Sequence, residues 1–165
     1  MIAFVFEATF VVLIICAAIS DYQRMKIPNW ISGALIALFV AYAWRLPTWP
    51  VVGWHFAVGG AVFVAAILAY AVNVFGAGDV KLLGAVALWA GPELLAEFLV
   101  VTSVLGGAFS LMILAARQAV RSYPAIADRP GAIWNITRWG RDGKCPYGIP
   151  IAAAALLSVP ALFVA

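Results

Sequence analysis

Long apolar runs alternate with short polar breaks over the whole chain. Six runs stand out, approximately Ile2–Ser20, Asn29–Trp44, Val51–Phe75, Val80–Ala90, Glu93–Ala116 and Gly148–Val164. A helix crossing a bilayer needs roughly 17–25 residues of this kind, so the pattern predicts about six membrane-spanning helices and an all-α polytopic architecture. The fourth run is too short, counted from Asp79, to cross about 30 Å of hydrocarbon. Either it begins at Gly76-Ala77-Gly78 or it starts inside a cleft that water enters. Pro28 and Asn29 mark where the second helix begins: proline disfavours helix at Ile27, and asparagine is a good N-cap. Gly76 and Gly78 allow a tight backbone path, and the Asp79 side chain is placed to cap the fourth helix. Gly59-Gly60 and Gly106-Gly107 supply small residues where helices can approach closely.

Composition agrees with the pattern. Of 165 residues, 66% are apolar and only 10% charged, with a mean hydropathy of +1.06; a soluble chain carries about a quarter charged residues. A chain of this length holds one helical bundle, read as a single membrane-embedded domain over residues 1–165. Every lysine and arginine except Arg45 falls in loops on one side if the N-terminus is outside. By the positive-inside rule that side is the cytoplasm, which places Asp21 and Asp79 together at the cytoplasmic face. The net charge of +3 then reflects topology and gives no reason to invoke nucleic acid. The first run lacks a basic start and contains Glu7, so it reads as a permanent span and not a cleaved signal. Arg117–Tyr147 forms the one long loop, basic and carrying Trp134 and Trp139, expected to lie at the membrane surface with its tryptophans partly inserted.

Charge is scarce enough that each carboxylate needs a reason. Glu7, Glu93 and Glu97 lie toward the outer ends of spans, where they reach water. Taken singly, Asp21 reads as a solvated span end beside Arg24 and Lys26, Asp79 as a helix cap, and Lys81 as a membrane anchor. Taken together, two carboxylates at one depth suit hydrolysis by a water molecule. The ionised carboxylate takes the water proton, and the protonated partner polarises the scissile carbonyl. Like charges held close cannot both ionise, so the two share a proton. No rival chemistry is spelled out. His55, the one histidine, falls near the outer face, Cys16 lies in the first span and Cys145 in a loop, and no Cys-x-x-Cys or HExxH pattern occurs, so neither a metal nor another cofactor is expected.

Three motifs carry a resemblance. Gly76-Ala77-Gly78-Asp79, continuing Val80-Lys81-Leu82, matches a glycine–x–glycine–aspartate signature. Asp21 followed by Lys26-Ile27-Pro28-Asn29, and Pro146-Tyr147-Gly148-Ile149-Pro150 before the last run, complete the set in order. In these the chain resembles the type IV prepilin peptidases, polytopic aspartic peptidases of the GxGD type. The resemblance implies Asp21 and Asp79 as the catalytic pair, with Gly76, Gly78, Lys26, Pro28, Asn29, Lys81, Pro146, Tyr147 and Gly148 as substrate-binding or supporting residues. It implies a prepilin or pseudopilin substrate whose short basic leader is cut at the cytoplasmic face of a bacterial inner membrane, with pilus assembly machinery as a further partner. Larger members carry a cytoplasmic domain with paired Cys-x-x-Cys motifs, associated with N-methylation. Here only a short turn separates Asp21 from the second run, as in the short forms of the tight-adherence (Flp pilus) subfamily or of archaeal preflagellin peptidases. The six-run layout favours the bacterial form, and cleavage without methylation is expected. The alternative from another class is a transporter or channel subunit using the aspartates as a proton relay. It requires acids spaced along a path across the bilayer, and none lies between the two aspartates and the outer glutamates.

Overall fold

The computed structural model describes residues 2–73, 75–123, 139 and 145–158. These are helical apart from short connections: α1 (Ile2–Arg24), α2 (Asn29–Tyr42), a 3-10 turn (Ala43–Arg45), α3 (Trp49–Ala71), α4 (Ala77–Ser122) and α5 (Gly148–Ser158). Among the described residues, α1, α3 and α4 are long and apolar enough to cross a membrane, and α2 and α5 are shorter. Helices of this kind mark a membrane protein: inside a bilayer each backbone N–H and C=O must be satisfied internally, which a helix achieves.

The run of α4 is broken at Gly91, whose φ of 60° and ψ of −171° fall outside any helix, and Pro92 follows. Residues 77–90 and 92–122 are therefore two arms, and they run back on each other. Unbroken, α4 would carry Gly106 about 40 Å from Asp79. Instead Gly106 sits against Tyr147, whose ring packs at 5.0 Å on Phe75, close to Asp79 in the chain. The break thus separates the fourth and fifth apolar runs as the sequence predicts.

The first arm explains why the fourth run is too short. It spans about 21 Å, and from Leu82 to Gly91 every residue is buried. α2, α3 and α5 pack on α4, and α1 closes against α2 and α5, so this buried arm lies at the centre of the bundle. Trp89 anchors the end far from Asp79. The indole lies among Phe10, Phe39 and Tyr42 at centroid distances of 5.1 to 5.4 Å, and its Nε1–H donates to the Leu35 carbonyl at 2.9 Å. The paired glycines divide their labour. Gly59 and Gly106 are overlain by Leu88 and Tyr147, whereas Gly60 and Gly107 have open space where a Cβ would project.

His55 has a structural task at the break. In a regular helix the Leu88 carbonyl accepts from the N–H of residue 92, but Pro92 has none. The His55 Nδ1–H fills that place at 2.8 Å, and its ring lies over Gly91 and against Phe39. His55→Ala leaves the buried carbonyl without this donor and is expected to cost about 1–3 kcal/mol. Thermal unfolding in detergent measures it, and His55→Gln, which retains an N–H donor, should recover part of the loss.

Two local expectations are revised. Pro28, not Asn29, is the N-cap of α2, because its extended backbone (φ −61°, ψ 138°) precedes the first helical residue. The Asn29 side chain accepts instead from Lys81 Nζ at 2.8 Å. Trp139 is buried between Tyr22 and Phe109, rather than inserted in the membrane surface, since the last turn of α1 and the middle of the second arm of α4 offer it two aromatic rings. Trp134, the remaining basic residues of that loop (Arg129, Arg138, Arg141 and Lys144) and the end of the sixth run lie outside the described residues.

Candidate active site

Four helix ends meet at one end of the bundle: the last turn of α1 and the first turns of α2, α4 and α5. Together they bring the three motifs, the first shared by the end of α1 and the start of α2. Asp21 stands in the final turn of α1, where the chain leaves the helix through Met25 in a left-handed conformation (φ 51°). Met25 N–H returns to the Asp21 carbonyl at 2.8 Å, and Ser20 Oγ donates to the Lys26 carbonyl at 2.8 Å, so the Lys26-Ile27-Pro28 turn is fixed to the helix it leaves. Asp79 stands in the first turn of α4. Gly76 is the N-cap, and Asp79, three residues on, reaches back to accept the Gly76 N–H at 3.1 Å. The aspartate does cap the helix, from within its first turn and not from the N-cap position.

Both carboxylates are buried, Asp21 at 4% and Asp79 at 8% exposure, and both line one cavity of about 590 Å³. Burying two acids is costly unless they are held by hydrogen bonds or put to use. Asp21 Oδ2 accepts the Gly148 N–H at 2.8 Å, a contact that joins the two ends of the chain. The glycines make the geometry possible by taking up no room. A Cβ on Gly148 would lie 2.8 Å from Asp21 Oδ2 and 2.6 Å from Ile27 Cδ1, and one on Gly78 only 3.1 Å from Ile27 Cβ. Ile27 therefore packs against the first turns of both α4 and α5, and the turn between α1 and α2 becomes one wall of the site.

Most of the residues named from the motifs converge here. Lys26, Asn29, Gly76, Gly78 and Lys81 line the cavity with the two aspartates. Pro146 is fully buried beneath the site, Tyr147 is wedged between Phe75 and Gly106, and Gly148 supplies its N–H to Asp21. Pro28 stands apart from the cavity lining and acts by ending the turn. Among the described residues no group of histidine, cysteine and acidic side chains is arranged to hold a metal ion.

Cys145 is the site residue that the motifs do not announce. It lines the cavity, 3.8 Å from Ser110 on the second arm of α4. Its place one residue before Pro146 is the only sequence signal for it. Partial burial raises its thiol above the ordinary cysteine range, the hydrogen bond with Ser110 offsets part of that, and the nearby Asp79 and Asp21 push it up again. A raised thiol yields thiolate only at higher pH, and the thiolate is the reactive form. Alkylation of Cys145 by iodoacetamide in a Cys16→Ser background should therefore need a higher pH than a free thiol does, as read from the pH dependence of the modification rate by mass spectrometry.

Two carboxylates from different helices, facing one cavity at the end of a membrane bundle, are suited to activating a water and polarising a carbonyl together. Comparison with known proteins points the same way. Residues 8–111, more than half of the chain, match the model of the type IV leader peptidase family. That stretch contains Asp21, the Ile27-Pro28-Asn29 turn and the Gly76–Asp79 motif. No curated protein and no solved structure matched.

Proposed function

The chain belongs to the type IV leader peptidase family, and from that premise we propose that it is an aspartic endopeptidase with Asp21 and Asp79 as its catalytic pair. The observation that carries the proposal is the convergence of these two buried carboxylates on one cavity, each accepting a glycine N–H. The substrate is a type IV prepilin or pseudopilin of the Flp type, presented with its short basic leader in the cytoplasm and its apolar helix in the inner membrane. With the N-terminus outside, α1 descends to the cytoplasmic face and delivers Asp21 to the depth at which leader and helix meet.

In this reading the scissile carbonyl enters between the carboxylates together with a water molecule. The ionised aspartate takes a proton from the water as its oxygen bonds to the carbonyl carbon. The protonated aspartate donates to the carbonyl oxygen and later receives a proton back. Collapse of the tetrahedral intermediate breaks the C–N bond, and the leaving amine takes the proton from the first aspartate. Water is consumed, and one acid and one amine terminus result. The site needs no metal or cofactor for these steps.

A proton relay across the bilayer is less well supported. Glu7 is about 21 Å along α1 from Asp21, and no acid stands between them. The proposal is tested by co-expressing a Flp-type prepilin and following its mass. The expected product has lost the leader and carries an unmodified amino terminus. A product bearing an added methyl group would overturn the short-form assignment, and an uncut prepilin would overturn the substrate.

A further inference from the structure

α2 and α3 both pack on the central arm of α4 but differ in how close they come to each other along their length. At the outer end they meet, Phe39 of α2 lying edge-on to Phe56 of α3 at a centroid distance of 5.7 Å. Contact between the two helices is otherwise sparse, and towards the end that carries the aspartates a groove lies between them. The wedge between them is a groove of about 300 Å³, walled by Gly33 and Ile36 on one side and Phe63 on the other, with Ala85 as its floor. Its lining is almost wholly apolar, and Ile36 and Phe63 are partly exposed, at 41% and 37%. α3 itself is pulled tight onto α4 where Phe63 overlies Gly84, so the gap lies on the α2 side.

The groove ends at Asn29 and Lys81, and these same two residues line the aspartate cavity. An apolar trough thus abuts a polar chamber, the two meeting at the hydrogen bond between Lys81 and Asn29. One further polar group marks the trough. Ser32, 5% exposed and one turn from Asn29, has an Oγ buried with no hydrogen-bond partner. A buried hydroxyl without a partner is costly, and a backbone carbonyl arriving in the groove would satisfy it.

Resting on the peptidase reading, we propose that the α2–α3 groove is the docking site for the substrate's own apolar helix. The first turns of that helix lie in the trough, and the chain before it crosses Asn29 and Lys81 into the cavity of Asp21 and Asp79. The groove has room for a few side chains, not for a whole helix, so one face of the substrate is held and the other stays in lipid. The junction sets which bond reaches the carboxylates: the substrate can pass only until its helix meets the end of the trough.

Gly33 gives a clean test, because a Cβ there meets nothing within 4 Å, so a side chain starts into open space. Gly53, at the outer end of α3, has the same open surroundings and serves as control. Gly33→Phe should slow cleavage of a co-expressed Flp-type prepilin roughly tenfold, through KM and not kcat, by filling space the substrate needs. Gly53→Phe should stay within about twofold. A photoreactive benzoylphenylalanine in place of Phe63 should crosslink to the prepilin, a readout that does not depend on cleavage. Normal cleavage by Gly33→Phe, or crosslinks at Phe63 to phospholipid alone, would overturn the groove while leaving the peptidase intact. Crosslinking to a prepilin that the wild type does not cut would uphold the docking and overturn the chemistry.

Discussion

Asp21→Asn and Asp79→Asn are each expected to slow prepilin cleavage by about 10²–10⁴-fold, the range attributable to a positioned acid or base, with the protein still folded and abundant. Asparagine has the shape of aspartate, and its carbonyl oxygen can still accept from Gly148 at position 21 or from Gly76 at position 79. What it cannot do is take a proton from water or hand one to a carbonyl. It also removes a buried charge, so the bundle should be no less stable. In the proposed mechanism the two groups share one proton inventory, so the double variant should be little worse than either single one; residues that act as a unit are strongly non-additive. The fraction of a co-expressed prepilin processed over time, with peptidase levels followed in parallel, measures all three. Near-normal cleavage in either single variant would mean that the carboxylate pair is not the catalyst.

The second large effect is expected from a residue with no side chain. Gly148→Ala places a methyl group where Asp21 Oδ2 and Ile27 Cδ1 already stand. Ile27 can yield by a change of rotamer, but the carboxylate is held by the N–H of the very residue that has grown. Asp21 must move or lose that bond. Displacing a reacting group by about 1 Å can cost on the order of 10²-fold, and the loss should appear in kcat more than in KM, since the groove for the substrate is untouched. Gly107→Ala, a substitution into open space, should leave the rate unchanged. Steady-state cleavage by the two purified variants makes the comparison. Equal rates would show that the Gly148 contact does not position Asp21.

Much of the architecture was legible because the physics behind it is local. Alternation of apolar runs with polar breaks requires only that lipid exclude unsatisfied backbone, and the helices begin and end close to the breaks at Pro28, Gly76 and Gly148. The pairing of Asp21 with Asp79 was also legible, through charge scarcity and spacing, since both follow apolar runs that end on one side. Harder to see was the fate of the fourth run. Its shortness signalled something unusual, but nothing in its composition says that it is surrounded by helices instead of lipid; both environments select the same residues. The reversal at Gly91-Pro92 was legible from Lys81 and Arg117 falling on one side, but the contact of Tyr147 with Gly106 that accompanies it joins distant parts of the chain and was not.

The sequence by itself therefore determined a helical membrane protein, the places where its helices turn, and the two carboxylates it keeps at one depth, because each of these follows from the cost of polar groups in hydrocarbon. Only the tertiary structure decided what surrounds those carboxylates. The Gly148 N–H on Asp21, the wall formed by Ile27, the presence of Cys145 and the groove between α2 and α3 all join residues far apart in the chain. Such contacts depend on how closely helices approach and at what angle they splay. Those are set by the summed packing of many side chains around Trp89 and the central arm, and no single stretch of sequence encodes them.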